Sequence, residues 1–294
     1  MFGFRKDGVD VSKTLDPIVL FSPLIMPTRC ESMNTVMYPA EYEPMAAYIR
    51  SQKNSEHTIS FLTIMAAAYV RTVRRYPVMS YFVMGKRIYR HKKLSLSLIV
   101  LRDTDDGSFK EAAVKVHCAP DDTIYDIARK FDEKVAEAKR PDAKNGTVDF
   151  AGKLLRVPIL PSLVVLAARI LDRIGLLPNF ITEISPFHCS LFITNMMSIG
   201  LPAIHHHLYN FGTCSIFLSY GRPERQVVSV GGQSARKVVL PLGIVTDERI
   251  CGGAEYALGV HTFLQYLQKP ELLELSPEEE DARRAAPKAG VAPA

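Results

Sequence analysis

The stretch GIVTDERICGGAEYA, residues 243–257, combines a strand, a charged turn and the start of a helix. The apolar run before Asp247 predicts a buried strand, and the residues after Gly253 predict a helix that extends to about Lys269. Gly252 and Gly253 are expected to allow a tight turn between the two elements. They do not form a phosphate-binding loop, because neither a G-x-G-x-x-G pattern nor a G-K-[ST] ending is present.

Further helices and strands are predicted upstream of this stretch. The segment TISFLTIMAAAYVRTVRRYP, residues 58–77, repeats apolar side chains every three or four residues, with Thr58 or Ser60 as a candidate N-cap. KLSLSLIVL, residues 93–101, alternates as a strand does, and DDTIYDIARKFDEKVAEAK, residues 121–139, predicts another amphipathic helix. Amphipathic helices need a sheet to cover. The predicted fold class is therefore α/β, a two-layer sandwich in which helices near 59–75, 121–138 and 253–268 cover a mixed β-sheet.

Other segments set the predicted boundaries of the domain. Residues 32–50 predict a short strand, a turn at Pro39 and a helix with Pro44 in its first turn. The region from about 150 to 178 predicts one or two apolar helices broken by prolines and a glycine. From Ser276 onward the chain has almost no apolar side chains to bury, so residues 275–294 are expected to be a disordered tail.

Composition narrows the class of protein. The 294 residues carry a net charge of +5 and are 47% hydrophobic, which argues against a nucleic-acid-binding protein. The five cysteines are far apart, contain no C-x-x-C pair and leave one unpaired, which argues against a disulfide framework and a zinc site. The N-terminal residues predict no export signal, so a cytoplasmic location is expected. The longest uncharged apolar run, residues 157–168, is too short to cross a bilayer.

Four stretches, in this order along the chain, resemble the catalytic domain of the dihydrolipoamide acyltransferases of 2-oxo acid dehydrogenase complexes and its structural relative chloramphenicol acetyltransferase. They are residues 58–77 with the strand that follows, SLFITNMMSIG (190–200), YNFGTCSIFLSYG (209–221), and the opening stretch extended to residue 273. The resemblance covers roughly residues 28–274 and leaves 1–27 as an N-terminal extension, too short to hold a lipoyl or subunit-binding domain. It implies a homotrimer with an active-site channel between adjacent subunits. Coenzyme A, or acyl-CoA as the acyl donor, would enter one end of that channel and a small-molecule acceptor the other, with no covalently bound cofactor.

The resemblance also assigns site residues. The family signature is a histidine, three further residues and then Asp-Gly, in which the histidine removes the proton from the attacking thiol or hydroxyl. On DERICGGA, residues 247–254, the histidine position holds Glu248 and the aspartate position holds Gly252, whereas Gly253 agrees and Arg249 matches an arginine common in the dehydrogenase branch. The family's oxyanion-binding serine corresponds to Thr194, which keeps the hydroxyl. The resemblance thus implies an acyltransferase whose base has been replaced.

Two residues are candidates for the missing base. A glutamate in water has a pKa of about 4.3, roughly two units below that of histidine, so Glu248 would need burial to act as a base. The alternative is that Asp247 and Glu248 pair with arginines at a subunit interface. His206, in the run His205–His207, is the other candidate. The alternative interpretation is that this run forms a polar surface or interface loop. Cys251 is expected to be a buried, unreactive thiol.

Two questions of function stay open at this level. The inserted region near 150–178 is expected to be a packed helical pair, with an apolar acyl pocket or a helix lying at a membrane surface as the functional alternatives. The whole chain is either an acyltransferase that uses an acyl-CoA-type thioester or a noncatalytic trimeric relative that serves as a binding or assembly module.

Overall fold

Two β-sheets organise the chain in a computed structural model, which describes residues 5–103, 109–140, 160–230 and 233–285. The small sheet has the order β1-β4-β3 and the large sheet the order β2-β10-β8-β7-β5-β6, with β9 paired to the outer half of β10. The strands are β1 (Gly8–Asp10), β2 (Met33–Glu41), β3 (Tyr81–Met84), β4 (Arg87–His91), β5 (Leu94–Asp103), β6 (Phe109–Cys118), β7 (Leu191–Asn195), β8 (Ile216–Tyr220), β9 (Glu224–Val230) and β10 (Gln233–Asp247).

The helices follow the expected local signals. They are α1 (Pro17–Ile25), α2 (Tyr42–Ser51), α3 (Phe61–Arg75), α4 (Ile124–Lys139), α5 (Leu160–Arg173), α6 (Asn179–Ile184), α7 (Gly253–Gln268) and α8 (Pro277–Ala285). Ser60 caps α3 in a reciprocal capping box with Thr63, and Thr123 does the same for α4 with Asp126. Both helices therefore begin where short-range hydrogen bonds favour a start.

The large sheet is mixed and has one helix-covered face. β5 pairs with β7, and β7 with β8, in parallel, whereas the other pairings in this sheet are antiparallel. Leu96, Leu218 and Leu242 point from different strands into one core with Ala66 of α3 and Leu267 of α7. The predicted two-layer fold, a mixed sheet covered by helices, is confirmed, and β5 and β10 lie in the same sheet as predicted.

The opposite face of the large sheet is covered at β6 by α6, where Lys115 donates to the carbonyl of Thr182, and at β7, β8 and β10 by chain without regular structure. Phe192, Phe217 and Val245 form a second buried cluster on this face, with Leu208 packed against them. The backbone passes so close here that a Cβ on Gly243 would lie 2.2 Å from the carbonyl oxygen of Ile204. This position requires glycine, because only a residue without a side chain permits that approach.

The strand β2 runs straight through Pro39, where the sequence predicted a turn. Pro39 is paired with Pro241, and the strand continues to Glu41. Because β2 is the last strand on its side of the sheet order, a residue without an N–H group is tolerated there. The predicted helix follows, with Pro44 in its first turn.

The C-terminal region also differs from the prediction of a disordered tail. Residues 277–285 form α8, and Glu280 is buried against Arg71 of α3, with 2.8 Å between Oε2 and Nη1. Tyr266 donates a 2.7 Å hydrogen bond to the other carboxylate oxygen of Glu280. One buried ion pair anchors a segment with few apolar side chains, while residues 286–294 lie outside the described part of the chain.

The N-terminal extension and the inserted region pack on each other. Arg5 donates a 2.8 Å hydrogen bond to Asp172 of α5 and a bidentate pair to Asp7, and both Arg5 and Asp172 are buried. Burial raises the pKa of Asp172, but the neighbouring His188 and Arg5 lower it more strongly, to about 2. α5 confirms that the inserted region is helical over residues 160–173, whereas its earlier part lies outside the described residues.

Within the described residues, no helix is both long and apolar enough to span a membrane. The same residues contain no group of three or more His, Cys, Asp or Glu side chains placed to hold a metal ion.

Candidate active site

Asp247 ends β10 and is the centre of a buried charge cluster. Its carboxylate accepts two 2.8 Å hydrogen bonds from the guanidinium of Arg249 and one of 2.9 Å from the hydroxyl of Ser32. Arg29, also buried, has its Nε 3.8 Å from the same carboxylate. A buried carboxylate is tolerated only when it is paired and hydrogen-bonded, and Asp247 is both. This residue and its arginines therefore hold the turn in shape.

Glu248, the next residue, lies in a different environment. Its backbone N–H donates to the carbonyl of Ser32 at 2.9 Å, but the side chain is exposed and has no ion-pair or hydrogen-bond partner within the described residues. Arg249 turns away from Glu248 because its guanidinium is held by Asp247 and by the carbonyl of Met26. The expected pairing with arginine thus applies to Asp247 and not to Glu248.

A pocket of about 180 Å³ opens beside Glu248. α1 forms one wall, β10 and β2 form the floor, and the start of α7 forms the opposite wall. Its lining residues are Ser22, Met26, Asn34, Thr246, Glu248, Cys251, Gly253 and Tyr256.

Two hydroxyl groups of this pocket are buried without a hydrogen-bond partner in the described residues. They are Oγ1 of Thr246 and Oη of Tyr256. Burial raises the pKa of Tyr256, and the nearby Thr246 hydroxyl acts in the opposite direction, so the two groups are neighbours although they are not aligned as a hydrogen bond. An unsatisfied buried hydroxyl costs on the order of 1–3 kcal/mol. Both oxygen atoms are closed to solvent, so they lie behind the lining of the pocket.

The N-terminus of α7 faces the same region. Gly252 is its N-cap and no side chain caps the helix, so N–H groups of its first turn have no side-chain acceptor. Such groups attract negative charge. Neither glycine has a positive φ, and a Cβ on Gly252 or Gly253 would meet nothing within 4 Å. The sequence predicted that the two glycines allow a tight turn, but the backbone at these positions does not require glycine. The absence of their side chains instead leaves open space beside Glu248.

Cys251 lines the pocket but is not suited to nucleophilic chemistry. It is buried, and burial, with the negative charges of Glu255 and Asp247, raises the pKa of its thiol to about 12. A thiol with this pKa is protonated at neutral pH and reacts poorly. The prediction that Cys251 is buried is confirmed.

Thr194 is half-buried on β7, at a distance from Glu248 within one chain. It pairs with Ser219 of β8, which pairs with Gly243 of β10. Thr194 is therefore two strands away from β10 across the sheet. Along the strands it is in register with Gly243, which precedes Glu248 by five residues. At about 3.3 Å per residue and 4.8 Å per strand, the two side chains are on the order of 15 Å or more apart. Thr194 also lies on the sheet face opposite the α3–α7 core, since its same-face neighbour Phe192 belongs to the second buried cluster.

His206 lies on the same face as Thr194. Its ring stacks on Phe217, with 4.0 Å between centroids and 1° between planes, and its Nδ1 is 2.9 Å from the carbonyl oxygen of His207. Partial burial lowers the pKa of His206 against the opposing effect of the His207 carbonyl, which favours the neutral ring. A proton on Nδ1 satisfies that carbonyl and leaves Nε2 as an acceptor. The structure therefore groups His206 with Thr194 and separates both from Glu248.

Sequence reasoning did not identify the hydroxyl groups of the pocket. Thr246 and Tyr256 both belong to the stretch 243–257 and are close to Glu248 in sequence. That closeness could have indicated that they lie beside the same pocket. Ser22 and Asn34 gave no such signal, because only the fold brings α1 and β2 to this turn.

Solved structures with the same architecture were found, although neither a protein-family model nor a curated protein matches the chain. A probable dihydrolipoamide acetyltransferase from Listeria monocytogenes is 13% identical with a TM-score of 0.55, over 85% of this chain and 88% of that one. The dihydrolipoamide acetyltransferase of Azotobacter vinelandii is 15% identical with a TM-score of 0.55, over 83% and 84%. The chain has the fold of the dihydrolipoamide acyltransferase catalytic domain.

A third similar structure comes from a multienzyme complex. The cubic core of a pyruvate dehydrogenase multienzyme complex is 15% identical with a TM-score of 0.55, over 90% of this chain and 92% of that one. At these identities the likeness establishes the acyltransferase fold alone. The resemblance expected from the four sequence stretches is confirmed at that level.

Proposed function

We propose that the protein is an acyltransferase that moves an acyl group from an acyl-CoA-type thioester to a small-molecule acceptor, working as a homotrimer with Glu248 as its general base. The observation that carries this proposal is the division of charges at the turn. Asp247 engages both nearby arginines, Arg29 and Arg249, which leaves the Glu248 carboxylate at the mouth of a pocket without a partner among the described residues. A carboxylate already bound by arginine would be a much weaker base.

The proposed reaction uses the residues as follows. Glu248 accepts the proton of the acceptor's nucleophilic group, and the nucleophile attacks the carbonyl carbon of the thioester. The carbonyl electron pair moves to oxygen, where the hydroxyl of Thr194 donates a hydrogen bond to the oxyanion. The tetrahedral intermediate then expels the coenzyme A sulfur, breaking the C–S bond, and the thiolate takes the proton from Glu248.

Two copies of the chain are needed for this arrangement. Thr194 and Glu248 of one chain are too far apart and are directed to different parts of the sheet, so Thr194 of an adjacent subunit would serve Glu248. A second subunit would also supply burial, which raises the basicity of a carboxylate. The fold shared with the catalytic domain of a multienzyme core supports a trimer of this kind.

The proposal is tested by thiol release from acyl-CoA by purified protein, with and without candidate acceptors. We expect Glu248→Gln to lower the rate by a factor on the order of 100 or more, the usual loss for a general base. Glu248 is exposed, so this variant should keep the stability and the mass of the wild type. His206→Gln is the matched comparison. If it abolishes the reaction while Glu248→Gln retains the wild-type rate, His206 is the base and Glu248 is not.

The alternative is a noncatalytic relative that binds a ligand in the same pocket. Two observations favour it: Glu248 is exposed in the single chain, and Gly252 stands where the family has aspartate. Acyl-CoA binding measured by calorimetry without any thiol release, across acceptors with hydroxyl, amine and thiol groups, would support this alternative over catalysis.

A further inference from the structure

Two helices, α1 and α5, expose continuous apolar faces to solvent. On α1, Ile18, Phe21 and Ile25 are spaced at three and four residues and are 76%, 60% and 68% exposed. On α5, Leu163 and Ile170 lie on one face and are 58% and 54% exposed. A soluble surface rarely gathers large apolar side chains in this way unless the surface binds something.

A basic cleft separates these two helices. It has a volume of about 430 Å³, with Pro23 and Pro27 on the α1 side and Arg169 and Arg173 on the α5 side. The β3–β4 turn closes one end through Lys86. The apolar faces and the cleft therefore belong to one region of the molecule, which we call the α1–α5 surface.

The charges of the cleft are not balanced. Lys86, Arg169 and Arg173 are exposed and have no acidic partner among the described residues. Asp172, the acidic group in the lining, is held by Arg5. The cleft is therefore complementary to a negatively charged partner.

The turn that carries Lys86 is built in a fixed position. Gly85 and Lys86 both have positive φ, 59° and 67°, as a two-residue hairpin turn requires. A Cβ on Gly85 would lie 3.4 Å from the carbonyl oxygen of Arg173, so the turn packs directly on the end of α5. Lys86 and Arg173 are thus kept on the same rim although both side chains are solvated.

We propose that the α1–α5 surface docks the protein on an anionic lipid bilayer, with lipid phosphates in the basic cleft and the exposed apolar side chains of α1 and α5 at the level of the headgroups. Amphipathic helices with apolar and basic side chains bind at this depth. Each arginine or lysine near an anionic surface adds attraction that salt weakens. A second copy meeting the same surface about a twofold axis would bring the three cations towards their own counterparts, so the charges disfavour that contact, whereas anionic lipid headgroups complement them.

This inference goes beyond the proposed activity and does not depend on it. α1 also forms a wall of the pocket beside Glu248, through Ser22. Docking would therefore place the mouth of the candidate active site close to the membrane surface.

The test is co-sedimentation of the full chain with vesicles of equimolar phosphatidylcholine and phosphatidylglycerol, compared with vesicles of phosphatidylcholine alone. We expect binding to the mixed vesicles, which falls as salt is added, and little binding to the neutral ones. Arg169→Glu combined with Arg173→Glu should lower the partition constant at least about 20-fold. Leu166 lies on the same face of α5 as Leu163 and Ile170 and is 55% exposed. Phe21→Ser combined with Leu166→Ser should also weaken binding, and that loss should persist at any salt concentration.

Matched controls come from exposed residues elsewhere. Lys53→Glu with Lys269→Glu makes the same change in charge, and Ile199→Ser with Leu258→Ser removes comparable exposed apolar side chains. Both controls should bind as the wild type does. The proposal is overturned if the wild type ignores anionic vesicles, or if the charge controls lose as much binding as the cleft variants. A change in solution mass in the Phe21→Ser, Leu166→Ser variant, without vesicle binding by the wild type, would instead identify the surface as a contact between copies.

Discussion

At the scale of single residues, two neighbouring acids have opposite environments. Asp247 is buried and takes hydrogen bonds from Arg249 and Ser32, whereas Glu248 is exposed and unpaired in the described structure. The end of the strand accounts for the difference, because Asp247 is the last residue of β10 and its side chain caps the short 3-10 helix that begins at Glu248. Asp247 is therefore suited to a structural role and Glu248 to a chemical one.

Asp247→Asn should destabilise the protein strongly. The change leaves Arg249 and Arg29 buried without a negative partner, which costs on the order of 3–5 kcal/mol. Glu248→Gln should change the free energy of unfolding by less than about 0.5 kcal/mol, because the side chain is exposed. Denaturant unfolding of both variants measures this difference, and equal stabilities would contradict the roles assigned to the two acids.

His91 should make stability depend on pH. Burial lowers the pKa of this imidazole to about 4, and its ring is held by the carbonyl of Ser80 and the hydroxyl of Thr213. An unfolded chain protonates histidine near pH 6.5, so the unfolded state binds more protons between pH 6.5 and 4. The stability present above pH 6.5 is thus lost as the pH falls to about 4, by roughly 3 kcal/mol.

The measurement is the free energy of unfolding as a function of pH for the wild type and His91→Gln. The variant should show a shallower slope between pH 6.5 and 4, whatever its absolute stability. A second loss below about pH 4 belongs to Asp172, whose pKa of about 2 in the folded chain stabilises it only while the carboxyl is ionised. An unchanged slope above pH 4 in the variant would show that His91 is not the group that titrates.

At the scale of secondary-structure elements, α8 depends on one buried contact. Glu280 pairs with Arg71, receives a hydrogen bond from Tyr266 and is also contacted by Arg284. The helix carries few apolar side chains, so this contact supplies most of what holds it to α3 and α7.

Glu280→Gln should therefore release α8 and destabilise the fold. Loss of the negative charge leaves Arg71 buried without its partner, at a cost on the order of 3 kcal/mol. Glu278→Gln is the matched control, since Glu278 is exposed and its contact with Arg74 is worth at most about 1 kcal/mol. Hydrogen exchange in residues 277–285 should rise in the first variant and stay unchanged in the second. Unchanged protection in both variants would count against this anchoring role.

The elements that could be predicted are those whose signals are local. Caps at Ser60 and Thr123 and regular apolar spacing identify α3 and α4 without knowledge of the rest of the chain. Two elements could not be found in this way. The continuation of β2 through Pro39 depends on its edge position in the sheet, and α8 depends on the distant Arg71. The candidate site shows the same division. Glu248 and Thr194 came from a resemblance in sequence, whereas the unsatisfied hydroxyls of Thr246 and Tyr256 are visible only after folding.

At the scale of the whole molecule, the separation of the site residues is the main constraint. Thr194 and Glu248 share a sheet but are on the order of 15 Å or more apart along and across its strands. An acyl-transfer site that uses both must therefore be assembled from two copies, and the activity of each copy should depend on its neighbour.

Subunit mixing tests this account most directly. Glu248→Gln and Thr194→Val are purified separately, unfolded together in equal amounts, refolded and assayed for thiol release from acyl-CoA beside each variant refolded alone. In a trimer whose sites lie between subunits, random mixing rebuilds one site in four, so the mixture should recover about a quarter of the wild-type rate while each variant alone remains inactive. A mixture that forms mixed trimers and is as inactive as its parents would contradict a shared site built from Glu248 of one subunit and Thr194 of the next.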